Sequence, residues 1–200
     1  MTPALRLEAL SKTFPLGRTL FGPERPGVRA VHPLTLDVAT GETLGIVGES
    51  GCGKSTLARM LVGLLEPSTG RIEIEGSALD KADPAEFGKR IQYVFQDPIS
   101  SLNPRKTIRQ IMEAPLKLLH GMDKGQRAAR IAEIFDLVSL RHEFLDRYPH
   151  EFSGGQAQRI GIARALAAEA RILILDEPVS ALDVSVQAQV LNLLADLKAR

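Results

Sequence analysis

Cysteine is nearly absent from this 200-residue chain. Cys52 stands alone, so no disulfide can form within the chain and a reducing compartment is expected. Net charge is nearly absent too, at +1, so bulk electrostatics offers nothing to draw the chain to nucleic acid or to a bilayer. No apolar run approaches the roughly 18 residues of a membrane-spanning helix. The opening Met-Thr-Pro-Ala-Leu-Arg-Leu-Glu lacks the charged start and apolar stretch of a secretory signal. Internal repeats and low-complexity tracts are missing as well. What these absences leave is a soluble chain of one domain, large enough for a real core, whose membrane role, if any, comes through a partner.

What is present is concentrated between Gly45 and Thr56. Gly48-Glu49-Ser50-Gly51-Cys52-Gly53-Lys54-Ser55 fits the phosphate-loop pattern G-x-x-x-x-G-K-[ST]. An apolar strand is expected over Thr43–Val47 before it, and a helical pattern (Leu57, Leu61, Leu64) follows. The glycines permit positive φ angles and a close backbone approach to phosphate. The next helix points its positive dipole end at the same anion. Lys54 can reach the β- and γ-phosphates, and the Ser55 hydroxyl is a small hard ligand suited to Mg²⁺. Cys52 occupies a variable position and reads as a small filler rather than a redox sensor.

Along the rest of the chain, Leu5–Phe14 partly alternates and reads as an edge strand, followed by a Gly/Pro/Arg-rich surface loop from Pro15 to Gly27. Val31–Val38 is a second strand and Gly41-Glu42 a tight turn. These strands predict an antiparallel sheet beside the nucleotide core. Arg71–Gly76 alternates cleanly, Ala82–Arg90 reads as a short helix, and Ile91–Gln96 as a buried strand broken by Asp97-Pro98. Helical periodicity covers Thr107–Leu119 and Lys124–Leu140, with Tyr148-Pro149 as the stop. No strand pattern falls between Asp97 and Glu151, which predicts an all-helical insertion in an α/β core. A helix from Ser153 to about Ala168 precedes Arg171–Leu175, an apolar run typical of a central parallel strand. Val186, Val190, Leu193, Leu194 and Leu197 mark the inner face of a last helix, with Asp183 at its N-cap.

Asp176-Glu177 closes that apolar strand. Beside a phosphate loop, Asp176 is suited to the Mg²⁺ shell and Glu177 to orienting and deprotonating an attacking water. Gln96 is readable either as a strand-end amide bonded to a turn or as a ligand, and Phe14 as core or as a ring that stacks on a base. Ser153-Gly154-Gly155-Gln156 offers a second anion-seeking helix start, or simply a capped helix with a flexible lead-in. Two such starts about a hundred residues apart suggest that they meet across a dimer.

On these residues the chain resembles the ATP-binding cassette ATPases along essentially its whole length. Gly48–Ser55 is similar to the Walker A loop and Ile172–Asp176 to the Walker B strand, with Glu177 at the catalytic-base position. Gln96 falls at the Q-loop, Phe152–Gln156 at the signature motif and Ser180–Asp183 at the D-loop. Phe14 falls where the family stacks an aromatic ring on adenine. Finer resemblance, carried by Phe95–Arg105, Arg147–Gln156 and Asp176–Ser185, is to importers of di- and oligopeptides and their nickel and glutathione relatives.

The resemblance implies a phosphate-loop (RecA-like) core with an antiparallel β subdomain and an inserted helical subdomain. Residues 1–96 and 157–200 would form the core lobe and 97–156 the helical and signature lobe of one domain, incomplete at its C-terminus. ATP and Mg²⁺ are the implied cofactors. Ser55, Gln96 and Asp176 would serve the metal, and Lys54, Gln96 and Glu177 the chemistry. The loop from Gly48 to Thr56, Phe14, the partner's Ser153–Gln156 stretch and Asp183 would line the nucleotide. Implied partners are a second ATPase subunit, identical or paired, membrane permease subunits and, indirectly, a solute-binding protein, but no nucleic acid. The implied location is the cytoplasmic face of the inner membrane. The family's switch histidine lies beyond Arg200, since His32, His120, His142 and His150 are all upstream. Ala157 replaces an arginine frequent among relatives. The rival expectations are a soluble cassette ATPase acting on DNA or ribosomes, and a silent nucleotide-binding module.

Overall fold

The computed structural model describes residues 2–15, 27–78, 83–180 and 182–199. They fall into two compact units, Met1–Asp83 and Pro84–Arg200.

In the first unit, β1 (Leu5–Phe14), β2 (Val28–Val38), β3 (Thr69–Ile74) and β4 (Ser77–Ala78) form an antiparallel sheet in the order β2-β1-β3-β4. The expected edge strand β1 is therefore an interior one. Leu5 faces Val38 on one side and Ile74 on the other. Alternating burial reports which faces are covered, and it carries no information on how many edges are paired. Leu5, Leu7, Leu10, Ile72 and Ile74 are buried. Each contributes about 1.5–3 kcal/mol of transfer free energy. The ladder shifts register between Leu7 and Leu10, where Ala9 adopts φ 44°. That is a bulge, and Thr35 Oγ1 accepts the Ala9 N–H there at 3.0 Å.

Residues 42–49 follow the turn at 40–41 without regular structure, and the strand expected over Thr43–Val47 is not formed. Val47 is 95% exposed. Hydrophobicity marks a segment that could pair, whereas a strand also needs a hydrogen-bonding neighbour. No described strand supplies one. Helix α1 (Lys54–Leu61) buries Leu57, Ala58, Met60 and Leu61. It stops short of Leu64, because Gly63 turns left-handed at φ 66°. Most of the Pro15–Gly27 loop, and the expected helix start at Ala82, lie outside the described residues.

The second unit pairs β5 (Ile91–Val94) with β6 (Ile172–Leu175) in a parallel ladder. β5 ends two residues before the expected Gln96, since the last rung joins Val94 to Leu175. β6 has β5 as its one neighbour among the described residues and is half-buried along its length, rather than central. Around this ladder lie α2 (Pro84–Arg90), α3 (Ile108–His120), α4 (Lys124–Leu137), α5 (Gly154–Ala167) and α6 (Val184–Ala199). Between Asp97 and Glu151 there are only helices and loops, as expected. α4 ends at Leu137, three residues early, just before Ser139 enters the left-handed region (φ 53°). Ile108, Met112, Ile131, Ile134, Phe135 and Ile160 make the centre of a common core, with Val190 and Leu193 of α6 completing it.

α3, α4 and α5 open alike. Thr107 with Gln110, Asp123 with Gln126 and Ser153 with Gln156 each form a reciprocal capping box. Each cap side chain is worth about 1 kcal/mol.

Candidate functional site

In the first unit the phosphate loop ends at Gly53, the N-cap of α1, with φ 103°. That angle suits glycine alone, and a Cβ there would also collide with the Ala30 carbonyl oxygen of β2. The loop is thus seated against the sheet by a residue without a side chain. No side-chain hydrogen bond caps α1 among the described residues. This N-terminus carries the positive end of the helix dipole, the natural seat of an anion. Lys54 Nζ donates to the carbonyls of Gly48 (2.9 Å) and Glu49 (3.0 Å), folding back over the loop it follows. Glu49, Ser50, Gly51 and Cys52 are exposed, while Ser55 and Thr56 are half-buried in the first turn. This donor set fits a polyphosphate: ordered amides, one lysine and a hydroxyl at the helix start. Phe14 ends β1 at 40% exposure, with Lys12 Nζ 5.4 Å from its ring centroid. It is not a core residue, and Lys12 lies over its ring.

In the second unit the parallel pairing of β5 and β6 brings their C-terminal ends together, although they are about eighty residues apart in sequence. Asp176 is buried at the end of β6, where its N–H reaches Val94 O (3.1 Å). The Tyr93 hydroxyl donates to Asp176 Oδ2 at 2.6 Å. Glu177 follows with φ 45°, uncommon for a side-chain-bearing residue and held by Ser180, whose N–H (3.2 Å) and hydroxyl (3.1 Å) both reach Glu177 O. Gln96 Nε2 donates to Glu177 Oε2 (3.2 Å) and Ser180 Oγ (3.3 Å). Gln96, Asp176, Glu177 and Ser180 thus form one polar cluster at the strand ends.

The Ser153–Gln156 stretch supports the capping alternative directly. Ser153 Oγ accepts from Gln156 N (3.4 Å), and Gln156 Oε1 accepts from Ser153 N (3.1 Å). Its glycines are packing residues here. A Cβ on Gly155 would strike Val186 Cγ1 of α6, and one on Gly154 would stand 3.4 Å from Leu182 Cδ2. The first-turn amides of Gly154 and Gly155 lie outside the box, so an anion site is compatible with the cap. Asp183 directly precedes α6, and its carbonyl accepts from Val186 and Gln187.

One partner of this cluster, Tyr93, and one arginine beyond it, Arg164, are not legible in the sequence. Tyr93 looked like one more apolar strand residue, and its bond to Asp176 depends on a strand pairing the sequence does not print. Arg164, on α5, donates to Ser101 O (2.8 Å) and Ser101 Oγ (3.3 Å). Burial pushes its guanidinium below the ordinary arginine value, though an arginine stays charged there. One of the two arginines in an Ala-rich helix gives no signal of a half-buried position. Ala157 is buried in the core, on the α5 side that packs against the helical bundle.

The ABC transporter family matches residues 31–180 of this chain. The chain is 49% identical over 197 residues to a probable peptide ABC transporter ATP-binding protein of Sinorhizobium fredii, covering 97% of this chain and 56% of the relative. It is 48% identical over 199 residues to the dipeptide transport ATP-binding protein of Escherichia coli, covering 98% and 59%. With the oligopeptide transport ATP-binding protein of Bacillus subtilis it shares 46% over 198 residues, covering 97% and 60%. The chain therefore spans 56–60% of the length of these relatives. Among solved structures, the dimeric post-hydrolysis state of the ATP-binding cassette MJ0796 bound to ADP and Pi superposes with TM-score 0.83 at 30% identity, over 97% of this chain and 82% of that one. The fold is that of an α/β phosphate-loop ATPase cassette, and the chain belongs to the ABC transporter family.

Proposed function

We propose that this chain binds ATP with Mg²⁺, hydrolyses it, and powers an importer of di- or oligopeptides. The observation that carries the reading is the Gln96–Glu177–Ser180 cluster at the end of the Asp176 strand. A half-buried carboxylate, steered by an amide and set beside a buried aspartate, is the arrangement expected of a general base near a metal shell. The Gly53-led start of α1 and Lys54 would bind the phosphates. Ser55, Gln96 and Asp176 are the residues that would serve Mg²⁺, and the bound ion would neutralise phosphate charge. Glu177 would take the proton of the attacking water, and Gln96 would keep its carboxylate aimed.

The same reading includes a dimer in which Ser153–Gln156 and Asp183 face the partner's nucleotide, with Phe14 stacked on adenine. Residues 97–156 would act as the helical lobe that meets permease subunits, which in turn meet a solute-binding protein. No helix among the described residues is long and apolar enough to cross a membrane. Attachment to the cytoplasmic face of the inner membrane would accordingly come through the permease. The relatives' names, which specify peptide, dipeptide and oligopeptide transport, support that substrate class.

The test is steady-state Mg-ATP hydrolysis with ATP affinity measured alongside. Glu177→Gln should lower turnover by about 10²–10⁴-fold, the usual contribution of a positioned base, while still binding ATP. Unchanged turnover would remove Glu177 from that role. Binding without turnover in the unsubstituted chain would reduce the reading to a nucleotide-binding module.

A further inference from the structure

Residues 97–102, which follow Gln96, form a self-bonded turn. Asp97 Oδ1 accepts from the N–H groups of Ile99 (3.1 Å) and Ser100 (3.3 Å), and the Ser100 hydroxyl donates to Asp97 O (3.1 Å). The Ser101 N–H and hydroxyl both reach Pro98 O, at 3.2 and 2.7 Å. Bonds of this kind make the turn a rigid piece, so its orientation is set by whatever fastens its far end. That fastening comes from one face of α5. Gly161 lies so near that a Cβ on it would stand 3.4 Å from Pro98 Cβ. One turn on, the Arg164 fork takes Ser101 O and Oγ together. At the near end of the turn stands Gln96, whose amide meets Glu177.

We propose that Arg164 is a positioning residue for ATP hydrolysis: by fastening Ser101 to α5 it fixes the 97–102 turn and so holds the Gln96 amide at Glu177. The inference rests on the ATPase reading above. Three observations favour it over a purely structural role. The side chain is half-buried, and no carboxylate among the described residues pairs with it. A partly buried charge without an ion partner is a costly way to fill space, and an apolar side chain would pack α5 more cheaply. A planar fork of donors also suits holding a carbonyl and a hydroxyl of one residue at once. Finally, the grip falls on the loop that carries Gln96 to the acidic cluster, and α5 is the helix that opens with Ser153–Gln156.

The test is a double-mutant cycle between Arg164→Met and Gln96→Ala, read in kcat and KM for Mg-ATP. Arg164→Met should lower kcat about tenfold with KM within about twofold, the pattern of lost positioning rather than lost binding. Arg164→Lys, which keeps one donor within reach of Ser101 O, should recover most of the loss. In the Gln96→Ala background, Arg164→Met should add little, because the two act through one contact. Losses that multiply, or an unchanged kcat in Arg164→Met, overturn the proposal. If thermal melting shows that Arg164→Met does not fold, Ser101→Ala replaces it in the cycle, with a loss of about threefold in kcat expected by the same logic. If the unsubstituted protein does not hydrolyse ATP, the ATPase reading falls by itself. Amide hydrogen exchange at Ile99 and Ser100 then still decides the clamp: faster exchange in Arg164→Met, slowed again in Arg164→Lys, supports it, and unchanged exchange overturns it.

Discussion

The two glycine-bearing helix starts look alike in sequence and differ in structure. α1 opens on Gly53 with no side-chain cap, whereas α5 opens on Ser153 with a complete capping box. At α1 the glycine is required by a positive φ and by the Ala30 carbonyl beside it. At α5 the glycines have ordinary backbone angles and serve to let Val186 and Leu182 approach. A side-chain capping box fixes a helix start for stability, whereas a start without one takes its shape from the loop that leads into it. α3 and α4 side with α5, each with a box of its own. Among the long helices with a described N-cap, α1 is therefore the exception, and it is the one that follows the phosphate loop.

The sharpest way to break this contrast is at Gly53. Gly53→Ala forces a side chain into the left-handed region and into β2, and we expect ATP affinity to fall by about a hundredfold or more, read by equilibrium nucleotide binding. Affinity within a few-fold of the parent would show that the open start of α1 is not the seat of the phosphates. Next comes Gly155→Ala, which overpacks the α5–α6 contact. Chemical unfolding should register a loss of about 1–3 kcal/mol. Should the midpoint stay in place, α6 does not rest on Gly155. Ser153→Ala removes only the cap and should cost about 1 kcal/mol in the same experiment. A null result there would make the start of α5 as open as that of α1.

The smallest effect concerns pH, and both units should share it. Hydrogen bonds from Arg6 hold Asp37 below the ordinary carboxylate value, and those from Arg109 do the same for Asp146. Both folded values are depressed, so their stabilisation is complete above the unfolded carboxylate value of about 4 and is lost as pH falls through the lower folded values. Asp37→Asn and Asp146→Asn should each flatten the acid limb of a stability–pH curve slightly, with no change in slope above pH 5 or so. A slope that persists in both variants would assign the acid limb to other groups.

Much of the site was legible because its chemistry is local. The phosphate loop, the Asp176-Glu177 pair and the box at Ser153–Gln156 each depend on residues within a few positions of one another. Helices were legible for the same reason, and the starts expected at Thr107 and Lys124 fall within a residue of those observed. What could not be read depends on pairing across distance. The interior place of β1, the unformed strand at Thr43–Val47, and the meeting of Tyr93 with Asp176 all turn on which segments find a backbone partner. Periodicity describes a segment's faces and is silent about its edges. The early end of α4 had a different cause, a left-handed Ser139 that no sequence rule favours.

The interior position of β1 also matters for synthesis on the ribosome. β1 emerges before either of its neighbours, and β2 can cover one edge as soon as Val38 is free. The other edge must wait for β3, whose Ile74 pairs with Leu5 at the strand's very start. At about 5–20 residues per second, the nascent chain carries an unpaired, leucine-rich edge for a few seconds. Residues that later make the deepest part of the first unit are thus open to a nascent-chain chaperone until β3 emerges.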